Sequence, residues 1–482
     1  MTPHLPILRA GERYQSLDVQ TLCPVGGGEA LAEMSMANAG LIRRDLQSRV
    51  HGDAVQALAK LEAREIVRIC ERAAGLWMEG DLPLGLDSAG RQSADEYVRL
   101  LSATTGLPHT LCRANMEKVR QGLAEMEQIL AGLTRGLGLE LFDRGVVASH
   151  GVEVGYYRSA RSLGVVLPSN SPGVNTLWMP ALPMKVPVVL KPGREDPWTP
   201  LRIIAALVEA GLPEEAVSFY PAGHDGAEDI LRHCGRGIVF GGDATVKKYA
   251  PNPNISTHGT GRSKVLIGED KIDGWEQYLD CLELSVAANS GRSCINASAV
   301  VVPRHGREIA VALAERLARR VPLNTDDPDA TLAGFANPAM AEATLAALEQ
   351  DLAVPGAEDV SVPFRGKEFR VEREGLNYLL PTVVYLDSDA HPLFEKELLF
   401  PFATVVEMPP AEMTARIGPT LVATAITDDP AFRQDLMECA DIDRLNFGPM
   451  PTSKVQWNQP HEGNLFEFLY RRRAIQGLEA AA

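Results

Sequence analysis

Between residues 186 and 270 the chain alternates short apolar runs with helical ones, and that alternation narrows the possible folds more than anything else in the sequence. VPVVLK (186–191), AVSFYPAG (216–223), GIVFGG (237–242) and KVLIGED (264–270) read as buried strands. Between them, Thr199 caps and Pro200 opens a helix that ends at Gly211, and AEDILRHC and DATVKKYA supply two more helices. Parallel neighbours require a crossover of this length, so the pattern predicts a parallel sheet wound on both faces. Such sheets take ligands beyond the carboxyl ends of their strands. No G-x-G-x-x-G occurs, so the usual dinucleotide fingerprint is absent.

Either side of this stretch the period changes. Residues 54–77 keep apolar side chains at helical spacing, and 93–106 opens on a capping box, Ser93 with Glu96, and closes at a glycine. A third helix covers about 110 to 132. Residues 152–170 read as two extended segments, the first alternating and exposed on one side. A second α/β stretch runs from near Cys281 to about 445, with a strand at 298–303, helices near 306–320 and 338–352, and a strand at 383–386. The tail from 446 carries KVQWN and a short helix at 464–473, and is placed to add a strand to a neighbouring subunit. The organisation expected is therefore two doubly wound α/β domains with a β-arm for oligomerisation. Residues 1–138 and 161–280 form the first domain, 281–445 the second, and 139–160 with 446–482 the arm and tail.

A chain of 482 residues is too long for one hydrophobic core, in keeping with more than one domain. A net charge of −16 argues against a nucleic-acid partner and against an anionic membrane surface. The one basic run, Arg471 to Arg473, reads as a solvated helix end. Five prolines interrupt the most apolar stretch, 163–191, so no spanning helix is expected, and the opening MTPHLPILRAGERYQ does not read as a signal peptide. Seven cysteines at wide spacing, without C-x-x-C or H-E-x-x-H, predict a cytoplasmic protein without disulfides or metal.

One cysteine stands apart. Cys294, in NSGRSCIN (289–296), follows a glycine and an arginine among small polar residues. A thiol is a weak nucleophile at neutral pH unless its surroundings help it, and Arg292 is a candidate for supplying positive charge or meeting an anionic substrate.

The ordered set LPSNSP, VVLKPG, AGLPEEAVSFYPAG, VFGGD, NSGRSC and KELLFPFATVVEM resembles the aldehyde dehydrogenase superfamily over roughly residues 140 to 470. The resemblance implies a cofactor domain, a catalytic domain and an oligomerisation arm. It implies that Cys294 attacks an aldehyde to give a thiohemiacetal, that hydride leaves to NADP or NAD, and that a thioester remains on the enzyme. Asn170 then matches the asparagine whose amide, with the backbone N–H of the cysteine, cradles the oxyanion. Lys191 matches the lysine on the adenosine ribose, and Glu397 the glutamate on the nicotinamide ribose, although E-x-F-G-P has become E-L-L-F-P here. Gly241 and Gly242 match the turn that admits the pyrophosphate; the family often has serine where Gly242 stands. Arg194 falls where many members carry a glutamate that disfavours a 2′-phosphate, which leans toward NADP(H).

One departure bears on the outcome. Hydrolytic members carry E-L-G-G-K between the third and fourth strands, and its glutamate activates water. This chain has HGTGRS (258–263), with His258 in the place of the glutamate and Arg262 available to meet phosphates. Members without that glutamate tend to pass the acyl group to coenzyme A or to run in the acyl-CoA reductase direction, which is the reading the resemblance implies first. Histidine is itself a competent base, so a hydrolytic aldehyde dehydrogenase with His258 as base stands second. A non-enzymatic binding member of the same fold stands third. The expected partners are a small-molecule aldehyde or acyl-CoA and further copies of the chain, as a homodimer or homotetramer.

Overall fold

The computed structural model describes residues 2–85 and 90–476. Two seven-stranded sheets dominate. In the first, Ile255–His258, Arg236–Phe240, Leu163–Val166, Val188–Lys191 and Val217–Phe219 lie side by side and parallel. Two short N-terminal strands, Ile7–Arg9 and Glu12–Tyr14, extend it antiparallel beyond Val217–Phe219. The chain lays down Leu163–Val166, Val188–Lys191 and Val217–Phe219 in one direction. It then returns to place Arg236–Phe240 on the other side of the first of these. The resulting switch point, between Leu163–Val166 and Arg236–Phe240, is where sheets of this kind open a crevice at their carboxyl ends.

The second sheet runs Ala357–Asp359, Thr382–Leu386, Phe402–Glu407, Ala297–Val302, Ser263–Ile267, Thr420–Ile426 and Ile442–Phe447, parallel except at the first strand. Its central strands, ASAVVV and SKVLI, are buried along their whole length, as a parallel sheet covered on both faces requires. Separate apolar clusters pack on its two faces, one around Leu313 and Val286, the other around Phe402 and Leu436.

Sheet membership corrects the expected division. The local pattern makes the strand at 264–270 the fourth of the first sheet, inside a domain ending at residue 280. It lies instead at the centre of the second sheet, between Ala297–Val302 and Thr420–Ile426. The chain passes from one sheet to the other through Gly259–Arg262, directly after His258. A buried apolar strand carries no mark of which parallel sheet it will enter, so local pattern is silent on the point.

Other elements shift for identifiable reasons. The helix expected over 54–77 is broken at Lys60–Glu62: Glu62 is extended, and the next helix, Ala63–Glu79, takes its first cap from Asp143, whose carboxylate accepts from the Ala63 N–H at 3.0 Å. The helix at 93–106 forms as expected, with Ser93 Oγ accepting from Glu96 N and Gly106 left-handed at φ 71°. Thr199 does not cap its helix. Asp196 does, accepting from Thr199 N at 2.9 Å, while the Thr199 hydroxyl lies buried against Tyr97. The tail forms the helix Leu465–Leu469 and then a strand, Tyr470–Arg473, paired antiparallel with Val152–Arg158 of its own chain. The basic run is therefore an edge strand rather than a helix end. Among the described residues no helix is long and apolar enough to cross a membrane.

Candidate active site

The carboxyl ends of the first sheet and the amino ends of the second meet around the loop that carries Cys294. Three successive left-handed residues lead into it, Asn289, Ser290 and Gly291, with φ of 50°, 57° and 68°. Such a run is costly for residues with side chains and persists only where the surroundings impose it. Here they do. The side-chain oxygen of Asn289 accepts from Asn115 Nδ2 at 2.7 Å, and Ser290 Oγ accepts from Ala333 N at 2.9 Å. Gly291 passes so close to Phe400 that a Cβ would overlap its carbonyl. On the far side Asn296 closes the loop, accepting from Ser293 N at 2.9 Å and donating to the carbonyls of Ser285 and Ala288. The loop is thus fixed before any ligand arrives.

Cys294 itself is half-buried. Burial pushes its thiol up to about 12, and the charge of nearby Glu397 acts in the same direction. Arg292 gives no relief. Its guanidinium is buried and donates to the carbonyls of Thr105 and Gly334, with Phe335 beneath it. The expectation that Arg292 supplies charge to the thiol or to a substrate is corrected: the side chain ties the loop to its scaffold. The thiol faces a different group, the carboxylate of Glu462, to which it donates at 3.4 Å.

Asn170 reaches the same loop from the carboxyl end of Leu163–Val166. Its Nδ2 donates to the carbonyl of Arg292 at 2.7 Å, which fixes the amide two residues from the thiol. His258 ends the strand Ile255–His258, buried beneath the ring of Phe240, with ring centroids 4.8 Å apart. Its Nε2 lies 3.1 Å from Ser256 Oγ, and its Nδ1 contacts the other oxygen of the Glu462 carboxylate. Burial pushes the ring down to about 4.

Glu462 is the site residue that the sequence does not announce. It sits in a tail turn with φ of 50°, followed by Gly463 at 92°. Anchors flank it on both sides: His461 Nδ1 lies 2.8 Å from an Arg444 guanidinium nitrogen, and Asn464 donates to the Leu133 carbonyl while capping Leu465–Leu469. The only sequence trace is an acid in a turn-forming H-E-G-N context. Nothing local points to a partner 168 positions earlier.

The expected cofactor residues lie at the neighbouring strand ends. Lys191 closes Val188–Lys191, half-buried, its ammonium depressed by burial, and without a hydrogen-bond partner among the described residues. Gly241 donates its N–H to the His258 carbonyl at 3.0 Å, and a Cβ there would clash with Thr245. Gly242 is open, since a Cβ there would meet nothing within 4 Å, and it opens the helix Asp243–Tyr249 without a side-chain cap. Glu397 accepts from Arg262 N at 2.8 Å, and burial raises its carboxyl to about 7. Arg194 is exposed and makes no side-chain hydrogen bond among the described residues. Arg262 is not free for phosphates: it is bonded to Asp243 at 3.0 Å and to the Glu395 carbonyl at 3.0 Å. An orphan ammonium, an open glycine at a helix start and a buried carboxylate across the crevice fit a dinucleotide.

A model of the aldehyde dehydrogenase family matches residues 22–417, and the chain belongs to that family. Among characterised proteins it is similar to an aminoacetaldehyde dehydrogenase of Pseudomonas aeruginosa, 29% identical over 50% of this chain and 49% of that protein. It is also similar to a malonate-semialdehyde dehydrogenase of Halalkalibacterium halodurans, 24% identical over 65% of this chain and 64% of that protein. The matched regions thus span about half to two-thirds of these relatives. A solved structure of an indole-3-acetaldehyde dehydrogenase with NAD+ shares the fold over 98% of this chain and 96% of that one, with a TM-score of 0.80 at 18% identity.

Proposed function

We propose that the chain oxidises a small aldehyde with a nicotinamide dinucleotide, through a thiohemiacetal and then a thioester on Cys294. The observation that carries this reading is the 2.7 Å bond from Asn170 to the Arg292 carbonyl, which holds an amide donor of the first sheet beside the thiol loop of the second. A donor so placed meets the oxyanion that forms when sulfur adds to the carbonyl, and such a donor is typically worth about 3 kcal/mol. A bound nicotinamide would supply the acceptor for the hydride that the adduct gives up. Lys191 takes the adenosine ribose, Gly241 and Gly242 admit the pyrophosphate, and Glu397 takes the nicotinamide ribose. Arg194, exposed and unengaged, suits a 2′-phosphate and so NADP+.

Two acyl acceptors are supported by different features. Loss of the glutamate from HGTGRS favours coenzyme A, because a thioester without a base beside it survives long enough to be exchanged. The carboxylate of Glu462, against both Cys294 and His258, favours water, since it returns a base to the same place. The geometry supports water the better of the two. A matrix of aldehydes with NAD+ and NADP+, with and without coenzyme A, tests both parts. Reduced nicotinamide and free acid forming without coenzyme A support the reading. Strict dependence on coenzyme A reverses the choice of acceptor, and no reduction of either nicotinamide by any aldehyde removes the dehydrogenase reading. Arg194→Ala is expected to weaken NADP+ about tenfold and leave NAD+ unchanged.

A further inference from the structure

The family places its base in the loop between the two sheets, and in this chain that position holds His258, whose ring faces away from any direct bond to the thiol. The carboxylate that does touch sulfur comes from the tail. Glu462 accepts from Cys294 at 3.4 Å through one oxygen and contacts His258 Nδ1 through the other. His258 Nε2 is 3.1 Å from Ser256 Oγ. Glu462, His258 and Ser256 together line a half-open cavity of about 320 Å³, which Trp457, His461 and Leu133 also line. The sulfur, Glu462, His258 and Ser256 therefore lie one against the next, hydrogen-bonded at the two ends and in contact at the middle, beside a space large enough for water.

We propose that Glu462 is the proton acceptor for the Cys294 thiol, and that His258 and Ser256 carry that proton to the cavity behind them. This rests on the dehydrogenase reading for its substrate but not for its geometry. As sulfur adds to the aldehyde carbon, the S–H bond breaks, the proton passes to Glu462, and the carbonyl electron pair moves onto oxygen. Oxidation of that adduct to the thioester uses the nicotinamide as oxidant. In release, the O–H bond of the attacking water breaks, its proton goes to Glu462, a C–O bond forms and the C–S bond breaks. The departing thiolate is then reprotonated. One proton is left over in each turnover, and the His258–Ser256 line takes it out. Glu462 is catalytic in this scheme, and His258 acts through it as a positioning and relay residue. Lys118 and Glu397 are the other charged groups acting on the thiol, and neither is hydrogen-bonded to it.

The test separates a proton acceptor from a charged bystander by sign. If Glu462 acted only through its charge, Glu462→Gln would make the thiol more acidic and speed its alkylation by iodoacetamide at neutral pH. Loss of a base does the opposite. With alkylation read on the Cys294 peptide by mass spectrometry, Glu462→Gln is expected to be slower by about 100-fold, the low end of the roughly 10²–10⁴ typical of general bases. The acyl-enzyme made from p-nitrophenyl acetate, which needs no cofactor, is expected to release acetate about 100-fold more slowly. Glu462→Asp should recover part of both rates and carries the test if the glutamine variant fails to fold. His258→Gln should leave alkylation nearly unchanged but shift the pH profile of acetate release. Alkylation of Glu462→Gln at or above the wild-type rate, or acetate release at the wild-type rate, overturns the proposal. If both rates fall while no aldehyde reduces either nicotinamide, the base assignment stands and the dehydrogenase reading does not.

Discussion

Ser263 donates its hydroxyl to the carbonyl of Cys294 at 2.9 Å, while accepting from the N–H of Val422 at 3.2 Å. The first residue of the central strand in the second sheet thereby holds the residue that carries the thiol. Gly261, two positions earlier, packs so tightly on the same carbonyl that any Cβ would overlap it. The passage between the sheets and the Cys294 loop are thus tied to each other directly.

Ser263→Ala removes this tether and leaves the Cys294 carbonyl and Val422 N–H without their partner. A loss of about 1–2 kcal/mol of stability is expected, as for other buried hydrogen bonds. Turnover should fall while the dissociation constant of the cofactor is unchanged, because the displaced group is the thiol and not the cofactor crevice. Equal losses in both would place Ser263 in the cofactor site instead.

Arg292→Met tests the corrected role of that side chain. Two carbonyls, of Thr105 and Gly334, lose their donor, and the expected cost is about 3 kcal/mol or more, read from urea unfolding. A variant as stable as the wild type but with a raised KM for anionic aldehydes would return Arg292 to the substrate.

Asn170→Ala should lower kcat about 100-fold with little change in KM, the pattern of an interaction made mainly in the transition state. The comparison of steady-state constants across one good substrate is sufficient. A rise in KM alone would mean that the amide serves the ground state or only the loop.

Acid stability carries a signature from His461. Burial, with Arg444 beside it, pushes its ring down to about 3 from the ordinary 6.5. The depressed value means that the unfolded chain binds the proton first, so the contribution of the neutral ring is present above about pH 6.5 and is lost as pH falls below it. Melting curves should show a loss on the order of 2 kcal/mol between pH 6.5 and 4 that flattens in His461→Gln. The Nδ1 contact with Arg444, which requires an accepting nitrogen, agrees with the neutral form. A steeper acid loss in the variant would contradict this assignment.

Much of the fold and part of the site are legible in the sequence. Alternating apolar runs and helices dictate a parallel doubly wound sheet because only a crossover joins parallel strands. The Ser93–Glu96 cap and the Gly106 stop follow from local backbone chemistry. Cys294 and Asn170 stand out as candidates because their motifs are contiguous, and the fold brings them to the same loop. What escapes is non-local. The strand at 263–267 is equally apolar in either sheet, and its assignment is decided by packing against Ala297–Val302 and Thr420–Ile426. Arg292 looks like a reactive neighbour in sequence, but backbone carbonyls of distant segments turn it inward. Glu462 sits in unremarkable tail text, and only the anchoring of His461 and Asn464 carries its carboxylate to the thiol.

The most direct measurement is rapid-quench mass spectrometry of the protein mixed with an aldehyde and NAD+ or NADP+. An acyl group on the peptide that contains Cys294, appearing with the first burst of reduced nicotinamide and missing from Cys294→Ala, is the expected result. Reduced nicotinamide formed at an undiminished rate by Cys294→Ala, or an acyl group found on another residue, would contradict it.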